Sequence, residues 1–304
     1  IMITWLADQG MTFTWDATPE SRREAMTAAA TNSAIAKHAV HSVRDFVIPG
    51  PESSLPVREY RPSDARDLPV LVWFHGGGWV TGNLETHDQL CRQMCDAAEA
   101  TVLSIDYRLA PEAKFPGPVD DCLAAYEWVT QHASELGADP SRVAIGGDSA
   151  GGNLAAVVAI LARDLGLPSP RLQLLVYPVI DHEFESAAMI DNAKGYFLEA
   201  DSMRWFYSHY VRTPDDVTDW RMSPLRAPDL ADVAPAVVIT AEYDPLRDQG
   251  EAYVERLRAA AVDTEHVRAD GVIHGFFGMH AFLPPAQEAW DVAIAALRGA
   301  LEIE

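Results

Sequence analysis

The 304 residues are 48% hydrophobic and 22% charged, enough to bury a large core in one α/β domain or two smaller ones. A formal charge of −22 argues against nucleic acid and anionic membrane surfaces as partners, because both are negative. No apolar run reaches the roughly 18 residues of a membrane span.

Cys91, Cys95 and Cys122 lack C-x-x-C spacing and read as buried small hydrophobes rather than metal ligands, which suits a reducing cytoplasm. The first residues, IMITWLADQGMTF, carry no basic stretch, and Asp8 interrupts their apolar run. That argues against a secretory leader and again for a cytoplasmic location.

Residues 1–40 read as helical and partly amphipathic. Thr18-Pro19-Glu20 is a helix start, with Met26, Ala29, Ala30 and Ala34 at apolar positions. Strand-like runs at 43–48 and 57–60 flank Pro49-Gly50-Pro51, which suits an antiparallel pair. From Pro69 onward strands and helices alternate. Strands are predicted at 70–74, 101–105, 142–145, 172–177, 236–240 and 266–268, and helices at 86–98, 119–136, 150–165, 246–261 and 285–301. Several strands are unbroken apolar runs, as parallel strands covered on both faces require. The expected architecture is a doubly wound, mostly parallel α/β sheet with an antiparallel start.

One interval breaks the alternation. Roughly sixty residues separate Tyr177 from Ala236, where one helix would suffice. The stretch KGYFLEADSMRWFYSHYV within it is helix-like and rich in aromatics: Tyr196, Phe197, Trp205, Phe206, Tyr207 and Tyr210. An insertion or lid is expected, its aromatics either packing it against the sheet or lining a pocket.

The chemistry gathers around RVAIGGDSAGGNL (142–154), a strand that passes through a glycine-rich turn into a helix. Ser149 sits at the turn, and Gly147 and Gly151 complete the G-x-S-x-G pattern of a nucleophile elbow. Such a serine needs a base, an acid that orients the base, and donors for an oxyanion. In this kind of fold the acid and then the base follow the serine, just past the ends of later strands. Asp244, in AEYDPLRD, and His274, in GVIHGF, satisfy both order and position. Asp248 and Glu242 are the rival acids, one inside the next helix and one nearer the strand; His280 is the rival base.

The donors would be the N–H of Ala150 and those of HGGGW (75–79), where successive glycines leave the backbone open to a ligand. A phosphate-binding reading of these loops fails. No Lys-Ser/Thr pair follows the glycines, and GGDSAGG does not contain G-x-G-x-x-G.

Five motifs in order carry a family resemblance: HGGGW (75–79), DYRLAPE (106–112), GDSAGG (147–152), DPLRD (244–248) and HGF (274–276). The chain resembles the hormone-sensitive-lipase family of α/β-hydrolases, in its bacterial esterase branch. The resemblance implies an α/β-hydrolase sheet of about eight strands with the second antiparallel. It implies a carboxylester hydrolase with the triad Ser149, Asp244 and His274, oxyanion donors Gly77, Gly78 and Ala150, and neither metal nor cofactor. Residues 1–40 and roughly 180–225 would form a helical cap on a catalytic domain of 41–304. His75, Tyr107, Arg108 and Asp148 match positions that brace loops.

The expected substrate is a small-molecule ester of short to medium acyl chain, because Trp79, Phe197 and Trp205 would shorten a pocket. An amidase or metabolite deacetylase would use the same triad. A non-catalytic receptor on this fold is disfavoured by the presence of His274. The resemblance allows a homodimer, formed through the sheet edge or the cap, although no stretch of sequence marks an interface.

Overall fold

The computed structural model describes residues 17–303. Its strands are β1 (Ser42–Ile48), β2 (Leu55–Arg61), β3 (Leu68–Phe74), β4 (Thr101–Ile105), β5 (Ala138–Asp148), β6 (Gln173–Val176), β7 (Ala236–Tyr243) and β8 (Thr264–Ile273). They form one eight-stranded sheet in the order β1-β2-β4-β3-β5-β6-β7-β8. β2 is antiparallel to both neighbours and every other pairing is parallel, so β2 alone runs against the rest. This is the α/β-hydrolase arrangement the sequence led us to expect.

The central strands are buried on both faces, and alternate residues feed two separate cores. On β3, Val70, Val72 and Phe74 enter one core while Leu71 and Trp73 enter the other. Each such side chain contributes about 1.5–3 kcal/mol on full burial. Helices α2 (Asp88–Ala98) and α8 (Pro284–Ala300) cover one face; α3 (Gly117–His132), α4 (Ala150–Asp164) and α7 (Arg247–Ala259) cover the other. In α2 the buried stripe is Cys91, Met94, Cys95 and Ala98, at helical spacing. All three cysteines are free and buried, as read from the sequence.

Two strands outrun their apolar signal. β5 starts at Ala138, through a Asp-Pro-Ser stretch that reads as a turn, and reaches β3 across a register shift. β8 continues to Ile273, which pairs with Tyr243 across a register shift that passes over Asp270 and Gly271.

The N-terminal helix α1 (Pro19–Thr31) begins where expected: Thr18 is its N-cap and accepts from the Ser21 N–H. The rest of that expectation needs correcting. The helix stops at Thr31, Ala34 lies beyond it, Met26 is exposed, and Pro19 is its one buried residue. Its attachment is polar. Arg23 donates to the carbonyls of Val80 and Ala110, both at 2.7 Å, and pairs with Glu112 through two nitrogens. The part of the helical reading that falls on residues 1–16 lies outside the described residues.

Between β6 and β7 the chain forms α5 (Ala187–Asp191), α6 (Ala200–Tyr210) and two short 3₁₀ turns. Met203, Phe206, Tyr207 and Tyr210 are the buried stripe of α6 and join the α3/α4/α7 core. This insertion is tied to the helices beside the serine. The Asn153 amide donates to the carbonyls of Val179 and Met222, both at 2.9 Å, and Gln249 accepts from the N–H groups of Ile180 and Asp181.

Candidate active site

At the end of β5 the chain reverses through Ser149 (φ 55°, ψ −117°) and enters α4. A non-glycine residue held there costs of order 1–3 kcal/mol, which the packed turn must sustain. That packing needs glycine at position 151, where a Cβ would run into the Phe74 carbonyl at the end of β3. The result lifts Ser149 above the sheet, 9% exposed.

Asp244 follows β7 and His274 follows β8, so all three side chains leave the same edge of the sheet. His274 Nε2 lies 3.0 Å from Ser149 Oγ, and His274 Nδ1 lies 2.7 Å from an Asp244 carboxylate oxygen. The other Asp244 oxygen accepts from the Leu246 N–H at 2.8 Å, which fixes the carboxylate plane. Asp244 and His274 are buried, and the Tyr177 ring rests on the imidazole with centroids 4.5 Å apart. The arrangement can take a proton from Ser149 Oγ and stabilise the resulting imidazolium.

The rival residues have other partners. Asp248 accepts from the Ala188 N–H at 2.7 Å and so anchors the insertion. Glu242 accepts from the Gly271 N–H and so links the ends of β7 and β8. His280 stacks on Trp290, beneath α8.

Beside the serine, the 75–79 loop turns through Gly77 (φ 120°) and Gly78 (φ 61°). Among the described residues, the N–H groups of Gly77, Gly78 and Ala150 donate to no protein acceptor. For Ala150 this follows from its place at the start of a helix, where the partial positive charge also favours an anion. The positions read as loop braces have these partners. Tyr107 donates to the His75 carbonyl at 2.7 Å, Arg108 grips the buried Asp121, and Asp148 accepts from the Gly76 N–H.

The three residues expected to line a pocket do not behave alike. Trp79 is fully buried and stacked on Tyr210, with centroids 4.3 Å apart, so it supports the loop and offers no surface to a substrate. Trp205 is partly buried and lies under the Arg22 guanidinium, joining α6 to α1. Phe197 does approach the site: its ring would meet a Cβ at Gly275 at 3.4 Å, next to His274. Sequence reasoning did not single out Phe206, whose ring occupies the space a Cβ on Gly78 would need. It is one of the six insertion aromatics expected either to pack against the sheet or to line a pocket; only the docking of α6 places it over the loop.

A cleft of about 690 Å³ lies elsewhere, lined by Arg23, Asp106, Arg108, Leu109, Glu112 and neighbours, and contains none of the residues discussed above as triad or donors. Its two arginines are engaged with Glu112 and with Glu52 and Asp121.

Residues 71–278 match a family described by the alpha/beta hydrolase fold. The chain belongs to this family, in the group resembling hormone-sensitive lipase. This α/β-hydrolase is 46% identical over 265 residues to the carboxylic ester hydrolase LipN of Mycobacterium tuberculosis, covering 85% of the chain and 70% of the relative. It is 40% identical over 251 residues to an ethyl acetate hydrolase of Pseudomonas putida, covering 81% and 78%. Among solved structures it superposes on the ester hydrolase EH1AB1 from the metagenome of Lake Arreo, complexed with a derivative of bipyridine phosphonate. The TM-score there is 0.92 at 42% identity, over 99% of this chain and 97% of the other. Among the described residues no helix is long and apolar enough to cross a membrane.

Proposed function

We propose that this α/β-hydrolase is a serine carboxylesterase that cleaves short- to medium-chain acyl esters through an acyl-enzyme on Ser149. Ester hydrolysis is the activity of its named relatives. The observation that carries the reading is the unbroken contact from Asp244 through His274 to Ser149 Oγ.

In this reading Ser149 Oγ attacks the ester carbonyl carbon as its proton passes to His274 Nε2. Asp244 holds Nδ1–H in place and offsets the positive charge of the ring. The carbonyl oxygen gains negative charge and is received by the N–H groups of Gly77, Gly78 and Ala150. The tetrahedral intermediate collapses, the C–O bond to the alcohol breaks, and His274 gives its proton to the departing oxygen. Water then attacks the acyl carbon with His274 again as base, and Ser149 is regenerated with release of the acid.

The insertion and α1 act as a cap that limits the acyl chain. Phe206 over Gly78 and Phe197 beside Gly275 support this, since both rings crowd the space around the reacting carbonyl. Hydrolysis of p-nitrophenyl esters from acetate to palmitate tests it. We expect the highest kcat/KM between acetate and hexanoate and loss of activity in Ser149→Ala. A maximum at long chains would overturn the acyl preference, and undiminished activity without Ser149 the mechanism.

A further inference from the structure

We propose that His87 is a positioning residue for the oxyanion loop, acting at the point where the Gly76 N–H meets the carboxylate of Asp148. The inference rests on the ester-hydrolysis reading above and adds a residue that neither the motifs nor the triad geometry assigns.

Asp148 immediately precedes Ser149, and Gly76 immediately precedes the donors Gly77 and Gly78. The two segments meet through one side chain: Asp148 Oδ1 accepts from the Gly76 N–H at 3.0 Å. The approach is close enough that a Cβ on Gly76 would collide with the carboxylate. The distance between the nucleophile and its oxyanion donors is therefore set by where this carboxylate sits.

A buried carboxylate with one backbone donor is poorly held. The other group at this point is His87, whose Nε2 accepts from the Gly76 N–H at 3.3 Å and lies 3.1 Å from the same Oδ1. The ring is set from its other side. Its Nδ1 lies 2.9 Å from Thr86 Oγ1, which is itself fixed by the N–H and carbonyl of Asn83. Burial pushes the Asp148 carboxyl up, and His87, the charge of His75 and the Gly76 N–H together more than offset that, leaving it below the usual range.

His75, the other imidazole at this loop, cannot take the same part. Burial, and then the charge of His87 5.5 Å away, bring it down to about 3. Its Nδ1 faces the Gly76 carbonyl, and its Nε2 has no hydrogen-bond partner among the described residues. His87 is thus the side chain that meets both the Gly76 N–H and Asp148, and so holds the loop in register with Ser149.

The test separates the two ring contacts. In His87→Gln the longer amide can reach the Gly76 N–H and Asp148; in His87→Asn it can reach only the Thr86 side; His87→Phe keeps the ring and removes both. With p-nitrophenyl butyrate we expect kcat to fall about 10- to 100-fold in the Phe and Asn variants, less than outright removal of an oxyanion donor. KM should stay within about threefold, and the Gln variant should hold kcat within about threefold of wild type. Affinity for a trifluoromethyl ketone, which forms a tetrahedral oxyanion on the serine, should fall in step with kcat; a residue that only stabilises the fold would not couple the two. If the Phe variant does not fold, the Asn and Gln pair decides. Equal kcat in Asn and Gln, or wild-type kcat in Phe, overturns the proposal. Ser149→Ala keeps the two readings apart. If it stays active, the esterase mechanism fails, and the His87 proposal with it. If it is inactive while the His87 variants are unimpaired, the His87 proposal alone fails.

Discussion

Replacing Asp244 by Asn examines the role of the acid without changing its size. The outcome follows from the second oxygen of Asp244. One oxygen accepts from the Leu246 N–H at 2.8 Å, a contact that an amide can keep only with its own oxygen there. The amide nitrogen must then face His274 Nδ1, which Asp244 now approaches at 2.7 Å. An NH₂ group in that position can only donate, so Nδ1 becomes an acceptor and the ring proton moves to Nε2. The nitrogen 3.0 Å from Ser149 Oγ then has no lone pair with which to accept the serine proton. Loss of the correct tautomer together with the charge lowers kcat by about 10³–10⁴ in such triads, or about 4–5.5 kcal/mol of barrier. Steady-state hydrolysis of p-nitrophenyl butyrate measures it, with circular dichroism and thermal unfolding to show that the fold is retained. A well-folded Asp244→Asn enzyme with kcat reduced less than tenfold would refute the argument.

Asp248→Ala removes the acceptor for the Ala188 N–H and should cost about 1–2 kcal/mol of stability while leaving kcat within about threefold; a loss of activity like that of Asp244→Asn would mean that the acid has been misassigned. Phe206→Ala opens the space over Gly78 and should raise the kcat/KM ratio of octanoate to butyrate about fivefold or more, read from the ester series; an unchanged ratio would remove Phe206 from the acyl pocket. Asp106 gives a pH test. Burial raises its carboxyl to about 6, so the folded state holds a proton that the unfolded chain has lost. Its contribution to stability is full below about pH 4 and disappears as the pH rises through 6. Asp106→Asn should therefore raise Tm by roughly 2 °C at pH 7.5, about 1 kcal/mol after allowing for solvent access, and have little effect at pH 4. A gain of the same size at both pH values would contradict it.

Much of this arrangement is legible in the sequence because the decisive signals are local. The unbroken apolar runs of β3 (70–74) and β6 (174–176) mark strands covered on both faces, and the serine, acid and base each stand directly after a strand. The chain order then assigns their roles. What was not legible depends on contacts between distant segments. Trp79, an aromatic next to the glycine loop, reads as a pocket wall, yet it folds inward onto Tyr210 from α6. Phe206 is one of the six insertion aromatics expected either to pack or to line a pocket, and its place over Gly78 depends on how the insertion docks. The helix at the N-terminus has a readable start in Thr18-Pro19, but its attachment is made by Arg23, which no apolar pattern could disclose. His87 lies in a stretch with no motif to mark it, and its partner is sixty-one positions further on.

The central claim, that Ser149 is the nucleophile of an acyl-transfer site, is tested most directly by covalent labelling. The folded protein is treated with a fluorophosphonate, its intact mass is measured, and the modified peptide is mapped. The account predicts one adduct per chain, on Ser149, formed in step with loss of esterase activity and absent from Ser149→Ala. An adduct on another residue, or full esterase activity in a protein labelled at Ser149, would contradict it.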